Sequence, residues 1–240
     1  AIGGLMLSEL YGQTSGPTND RIRVALDAAI KASLRREPQP KRHRDDEGGW
    51  RYYFRHQSTD SDLSVSSWQL MFLRSCKNAG YDVPAEPIDQ AVEFVQRCYD
   101  PQRHLFWYAL RGGEKVSTRA MTGAGILSLS LAGRHQTPEA RTAGDWILAR
   151  PFGKYLEQVG KHDRFFYGAF YCSQAMFQLG GQYWEDFFPV MCKTLVENQS
   201  PDGSWHEEPG YDRIFGNVYS SAIAVLAISP RYQLLPIFQR

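Results

Sequence analysis

The sequence predicts an all-α fold made of stacked helical hairpins. Three observations predict it. Segments with a narrow apolar stripe alternate with segments that are apolar or small nearly all round. Each of the first four all-round segments ends in a short turn bearing glycine. No run of alternating apolar and polar residues marks a strand; the aromatic loop Trp50–Phe54 is the one place where a short strand could form.

The elements follow in chain order. Ala1–Tyr11 has almost no charge in its middle and stops at Gly12, which suits a left-handed helix end. Arg21–Arg36 sets Ile22, Ala25, Leu26, Ala29, Ile30 and Leu34 at helical spacing with a charged back, and Asn19 can cap it. Leu63–Ala79 is again uncharged in its middle and stops at Gly80. Ile88–Cys98 is amphipathic, with Pro87 in a first-turn position. Ala120–Ala132 runs to Gly133. Thr137–Leu148 follows, with Thr137 as its cap and Pro138 where a missing N–H costs nothing. Phe165–Leu179 ends at Gly180-Gly181, Gln182–Asn198 is amphipathic, and Val218–Ile228 opens a last unit. Helices apolar on every side belong inside, and striped helices belong outside. The glycine stops recur every roughly 50–70 residues, and about four and a half hairpins fit the chain. Such a stack closes naturally into a ring.

Composition narrows the function classes. The chain has 240 residues, 42% hydrophobic and 13% aromatic, enough for one large folded domain spanning 1–240 and too apolar for a disordered chain. A formal net charge of +1 gives no global attraction for nucleic acid. No stretch has the ~18 uncharged apolar residues of a spanning helix. The four cysteines form no C-x-x-C pair and are expected as buried thiols. A bridge between Cys172 and Cys192 is geometrically possible, since both stand at similar distances from the Gly180-Gly181 turn. Ala1–Tyr11 reads as the middle of a helix, so the chain is expected to be the C-terminal part of a longer protein.

The loops carry the most specific signal. Gln199-Ser200-Pro201-Asp202-Gly203-Ser204-Trp205 combines a helix-terminal amide, a Pro-Asp-Gly turn and a tryptophan that can lie across the helix end. Glu47-Gly48-Gly49-Trp50-Arg51-Tyr52 stands at the equivalent place in the first unit, 100–108 in the second and 151–155 in the third, each progressively weaker. Gln199, Gly203 and Trp205 match the Q-x-x-x-G-x-W repeat of squalene and oxidosqualene cyclases. With the alternating helices, the chain resembles the prenyltransferase/squalene oxidase repeat superfamily, which includes terpenoid cyclases and protein prenyltransferase β-subunits. The resemblance implies an α/α toroid of four to five hairpins here, an incomplete or truncated ring, with a central aromatic-lined groove.

The candidate chemistry lies at helix starts. Class II terpenoid cyclases carry a D-x-D-D motif at an inner-helix start, whose middle acid protonates the substrate. Asp60 and Asp62 match its first two acids, and Leu63 replaces the third. Asp62 is thus the candidate general acid with Asp60 beside it; equally, Asp60 could cap the helix and Asp62 could favour its positive N-terminus. The zinc site of protein prenyltransferases is not reproduced. Aligned on Trp68-Gln69, Asp62 meets the metal-binding Asp, but Ser64 replaces Cys and no His stands near Tyr219-Ser220. No metal and no cofactor are expected. His206, Glu207, Glu208 and Asp212 could bind a cation or form a solvated loop. Arg119 and Asp163-Arg164 could face the groove or form helix-terminal ion pairs. The groove is expected to be lined by Trp50, Tyr52, Trp68, Trp107, Tyr108, Arg119, Tyr167 and Tyr219. Two functions stay open. One is a non-catalytic relative that binds a hydrophobic or prenyl ligand, or a protein partner, in its groove. The other is a terpenoid-cyclase-like enzyme acting on a polyprenyl or squalene-type substrate through Asp62.

Overall fold

The computed structural model describes residues 1–36, 39–52, 59–112 and 115–238. Among them are nine α-helices: α1 (Ile2–Leu10), α2 (Gly16–Arg36), α3 (Leu63–Asn78), α4 (Ala85–Arg97), α5 (Arg119–Leu131), α6 (Pro138–Leu148), α7 (Phe165–Leu179), α8 (Gln182–Glu197) and α9 (Gly216–Ile228). The fold is therefore mostly helical. Two short antiparallel strands, β1 (Tyr99–Asp100) and β2 (Leu105–Phe106), form the only sheet among the described residues. They lie in the second-unit loop, not at Trp50–Phe54; Trp50–Tyr52 are not in a strand, and Tyr53 and Phe54 lie outside the described residues.

The two helix styles separate in space. The odd-numbered helices pack one on the next, α1 on α3, α3 on α5, α5 on α7 and α7 on α9. The even-numbered helices lie against this row. They bury a single stripe, such as Ile22, Leu26, Ile30 and Ser33 of α2 or Ala91, Val92, Phe94 and Val95 of α4. α5 and α7 are buried almost all round, as their composition requires. α1 and α9 are not: Ile2 and Met6 of α1 and Val218 and Val225 of α9 remain exposed. Among the described residues these are the first and last helices of the row, and Ile2 and Met6 face a cavity they share with Leu226 of α9.

Helix boundaries follow local chemistry. Asp62, Thr118 and Thr137 cap α3, α5 and α6 through the amides of Val65, Met121 and Ala140. Gly12, Gly80, Gly133 and Gly180 all sit at positive φ where the preceding helices stop. Asn19 does not cap α2, which begins three residues earlier. Its Oδ1 accepts from Gly12 N–H at 3.1 Å and Thr14 Oγ1 at 3.2 Å, so it ties down the turn after α1.

The central α5–α7 contact depends on Gly123. A Cβ there would meet backbone atoms of Tyr171 and Cys172 at 2.7 Å. Gly123→Ala therefore forces two helix backbones apart, and we expect a loss of about 1–3 kcal/mol, read as a lower urea midpoint at unchanged slope. The α5–α7 approach also decides the cysteines. Cys172 Sγ donates to Arg119 O on α5 at 3.2 Å, and both Cys172 and Cys192 are free thiols. The possible bridge is not formed because Cys172 faces α5 and not α8.

Candidate functional site

The start of α3 is assembled by two loops. Asp62 N–H donates to Trp50 O at 3.0 Å, and Leu63 N–H donates to Tyr108 O at 2.8 Å. Asp62 is fully buried. Its Oδ1 accepts from Val65 N–H at 2.8 Å, and its Oδ2 accepts from Arg51 Nη1 at 2.6 Å. The same Arg51 nitrogen lies 2.7 Å from Tyr108 Oη. The guanidinium also stands over the rings of Tyr52 and Tyr108, 5.4 and 5.5 Å from their centroids.

Burial pushes the Asp62 carboxyl above the usual carboxylate range, while the Val65 amide and the Arg51 charge oppose that shift. Burial likewise raises the Tyr108 phenol to about 12, so it stays neutral. Chemically the group is a guanidinium–carboxylate pair with both carboxylate oxygens engaged by N–H donors. Among the described residues neither a second carboxyl nor an imidazole is hydrogen-bonded to Asp62.

Asp60 belongs to a different cluster. Its carboxylate accepts from the Arg42 amide at 2.8 Å and from Arg42 Nε and Nη2 at 2.9 and 2.8 Å. Its own amide donates to the buried Asp46 at 2.9 Å. It is therefore not the cap of α3, a role Asp62 fills. The Arg42 hydrogen bond holds the Asp60 carboxyl down to about 2. A depressed carboxyl stabilises the fold above its unfolded range, and this is lost as pH falls from about 4 to about 2. Asp60→Asn is expected to lower stability near neutrality and to flatten that part of the acid-unfolding curve, so that parent and variant converge towards pH 2, as followed by circular dichroism across pH.

A second set of aromatic groups adjoins α3. Tyr167 Oη of α7 lies 2.9 Å from Ser64 Oγ and accepts from Trp68 Nε1 at 3.0 Å. Trp68 stacks on Phe170, with ring centroids 5.6 Å apart and planes 10° from parallel. These two rings form part of the wall of a cavity of about 340 Å³. The rest of that wall comes from α1 (including Leu5, Met6 and Glu9), from Leu226 of α9 and from the segment 234–238.

Of the expected groove residues, Trp68 reaches this cavity and Tyr167 is bonded to it. The others lie elsewhere. Trp50 is buried, with Nε1 donating to Ser33 O at 3.1 Å. Trp107 is buried beneath Arg103 and Lys115, which stand 5.4 and 5.3 Å from its ring. Arg119 is fully buried: it pairs with Asp163 at 2.7 Å and lies 3.8 Å over the Phe152 ring, so it is a helix-terminal ion pair and presents nothing to a groove. Tyr52 is exposed, Tyr108 belongs to the Arg51 cluster, and Tyr219 packs beside Phe215.

In the 206–208 loop, Glu207 pairs with Arg213 at 3.9 Å and His206 Nε2 lies 3.4 Å from Ser200 Oγ. Glu208 is buried and accepts from the amides of Phe165 and Phe166 at 2.6 and 3.3 Å, where its charge suits the start of α7. The Asp212 side chain lies outside the described residues. No cluster of three metal-ligating side chains occurs among the described residues.

The sequence reading missed Arg51, Asp46 and Glu9. Arg51 could have been found from its place between Trp50 and Tyr52, next to a loop aimed at a buried acid. Asp46 and Glu9 carry no local signal, because their partners come from 13–15 and 66 or more residues away. No protein-family model matches the chain, and no curated protein matches it in sequence.

Proposed function

We propose that the chain is a helical-hairpin repeat protein of the α/α-toroid type. In this reading it is related to the prenyltransferase/squalene oxidase repeat superfamily and binds a hydrophobic ligand or partner between its inner helices without catalysis. The observation that carries this reading is the cavity walled by the Trp68–Phe170 stack and by aliphatic side chains from α1, α9 and 234–238. Its volume falls at the lower end of small-molecule sites, roughly 300–1,000 Å³.

The likeness of two tryptophan loops supports the repeat reading. Trp50 and Trp205 each donate Nε1–H to a carbonyl of the preceding outer helix, Ser33 O at 3.1 Å and Leu195 O at 2.8 Å. Each also donates its main-chain N–H to a serine hydroxyl of the following inner helix, Ser66 or Ser221, both at 2.9 Å. Gln199 Nε2 donates to Gly203 O at 2.8 Å and closes the turn.

Native mass spectrometry of the purified chain is the test. A retained lipid-sized adduct, lost on denaturation, is the expected result. Failure to bind any apolar probe by mass or fluorescence overturns it.

One observation favours a second reading, in which Asp62 acts as a cyclase-type acid. It is buried at an inner-helix start, and burial raises its carboxyl. Asp62→Asn separates the two. Asn keeps the oxygen that caps Val65 and loses the charge facing Arg51, so we expect a stability loss of about 1–3 kcal/mol with ligand binding intact. An enzyme would instead lose turnover of a squalene-type substrate.

A further inference from the structure

The segment that closes the cavity is recognised in an unexpected way. After α9 the chain turns through Pro230–Tyr232, and Gln233 adopts a left-handed conformation with φ 47°. Residues 234–238 then lie against α1, α3 and α7. Ile237 and Phe238 are buried, and the Phe238 ring meets Phe170 edge-on at 6.3 Å.

The polar contacts are made to main chain. Ile237 N–H donates to Glu9 Oε2 at 3.3 Å, and Phe238 O accepts from Gln178 Nε2 at 3.3 Å. Glu9 and Gln178 are both buried, on α1 and α7. Glu9 is held in place from behind by Ser75 Oγ on its other oxygen. A hydrocarbon has no donor for Glu9 and no acceptor for Gln178. A peptide turn has both: the 3-10 turn Pro236–Phe238 presents them at adjacent residues, with side chains left over to fill apolar space. The segment also fails to fill the hollow, since the cavity of about 340 Å³ remains beside it. Leu234, at the segment's start, is largely exposed.

We infer that the hollow is a groove for a short apolar peptide turn and that residues 234–238 are its resident, displaceable occupant. The inference rests on the reading of the hollow as a binding groove and names the chemistry of its ligand. The ligand class is a short run of Leu, Ile or Phe residues presenting one N–H and one C=O to Glu9 and Gln178. The resident segment lowers the apparent affinity for such a ligand by the fraction of molecules in which it is bound.

The test uses the full chain and a fluorescein-labelled peptide of residues 232–240. Phe238→Asp places a charge against Phe170 and expels the resident segment; Phe238→Ala serves if the charged variant does not fold. Saturable polarisation binding to the variant is expected, at least about tenfold tighter than to the parent chain. Adding Gln178→Leu should abolish that gain. Binding no stronger than that of a scrambled peptide, or equal binding to parent and variant, overturns the inference. If Nile red then still binds in the hollow, the groove reading stands and only its peptide chemistry fails. If neither dye nor peptide binds, both fall.

Discussion

Arg119→Ala is expected to cost about 3–5 kcal/mol of stability, the usual result of stripping one partner from a buried ion pair. The guanidinium sits at the start of α5 with no solvent exposure. It donates Nε to Asp163 Oδ2 at 2.8 Å and Nη2 to Glu157 O at 2.7 Å, and its plane covers Phe152. Asp163 would then remain buried, with only the amides of Arg119 and Val159 as donors. The site joins the 151–163 loop to α5, so the damage reaches the α5–α7 centre. Arg119→Lys keeps the charge but has no planar fork to reach these acceptors together, and should fall between parent and Ala. Urea unfolding followed by circular dichroism reads all three. A loss below about 1 kcal/mol for Arg119→Ala would show that the pair is not structural.

Trp205→Ala should be nearly as harmful, at about 3–5 kcal/mol, because it empties the largest buried side chain between α8 and α9. Trp205→Phe separates packing from hydrogen bonding. It keeps most of the volume and leaves Leu195 O without the indole donor, for an expected cost of about 1–3 kcal/mol. Trp50→Ala and Trp50→Phe should give the same ordering, since Trp50 makes the matching bonds to Ser33 and Ser66. Unequal behaviour of the two pairs, with one tryptophan indifferent to truncation, would break the claimed equivalence of the two loops.

Local pattern carried much of this fold into the sequence. Apolar stripes on α2, α4, α6 and α8 and the charge-free middles of α5 and α7 are properties of short windows, so helix type and burial could be read directly. Thr137 and Pro138 announced the start of α6 for the same reason. Asn19 misled because a side chain that caps a helix start can equally well close the turn before it. The strands at 99–100 and 105–106 were invisible because two-residue pairings leave no alternation to detect.

The site was less legible, and for a physical reason. Asp62 could be placed at a helix start from spacing alone, but its pairing with Arg51, which reaches it across a loop, could not. The expected aromatic lining took side chains near inner-helix starts to be cavity-facing. Trp50 and Trp107 stand in the loops before helix starts and Arg119 opens α5, and all three side chains are spent on packing. The wall of the hollow includes α1 and 234–238, elements from opposite ends of the chain, and no window of sequence spans them.

The two tryptophan loops also set the order in which the molecule comes apart. A linear array of repeats frays from its terminal members, which have neighbours on one side only. Here Trp50 ties α2 to α3 and Trp205 ties α8 to α9, and among the described residues no other indole makes this pair of bonds. The outermost pairs of the described row are thus fastened more tightly than the pairs between them, like a bound book whose covers are sewn more tightly than its pages. Melting should spread as one transition, with indole fluorescence and helical signal falling together.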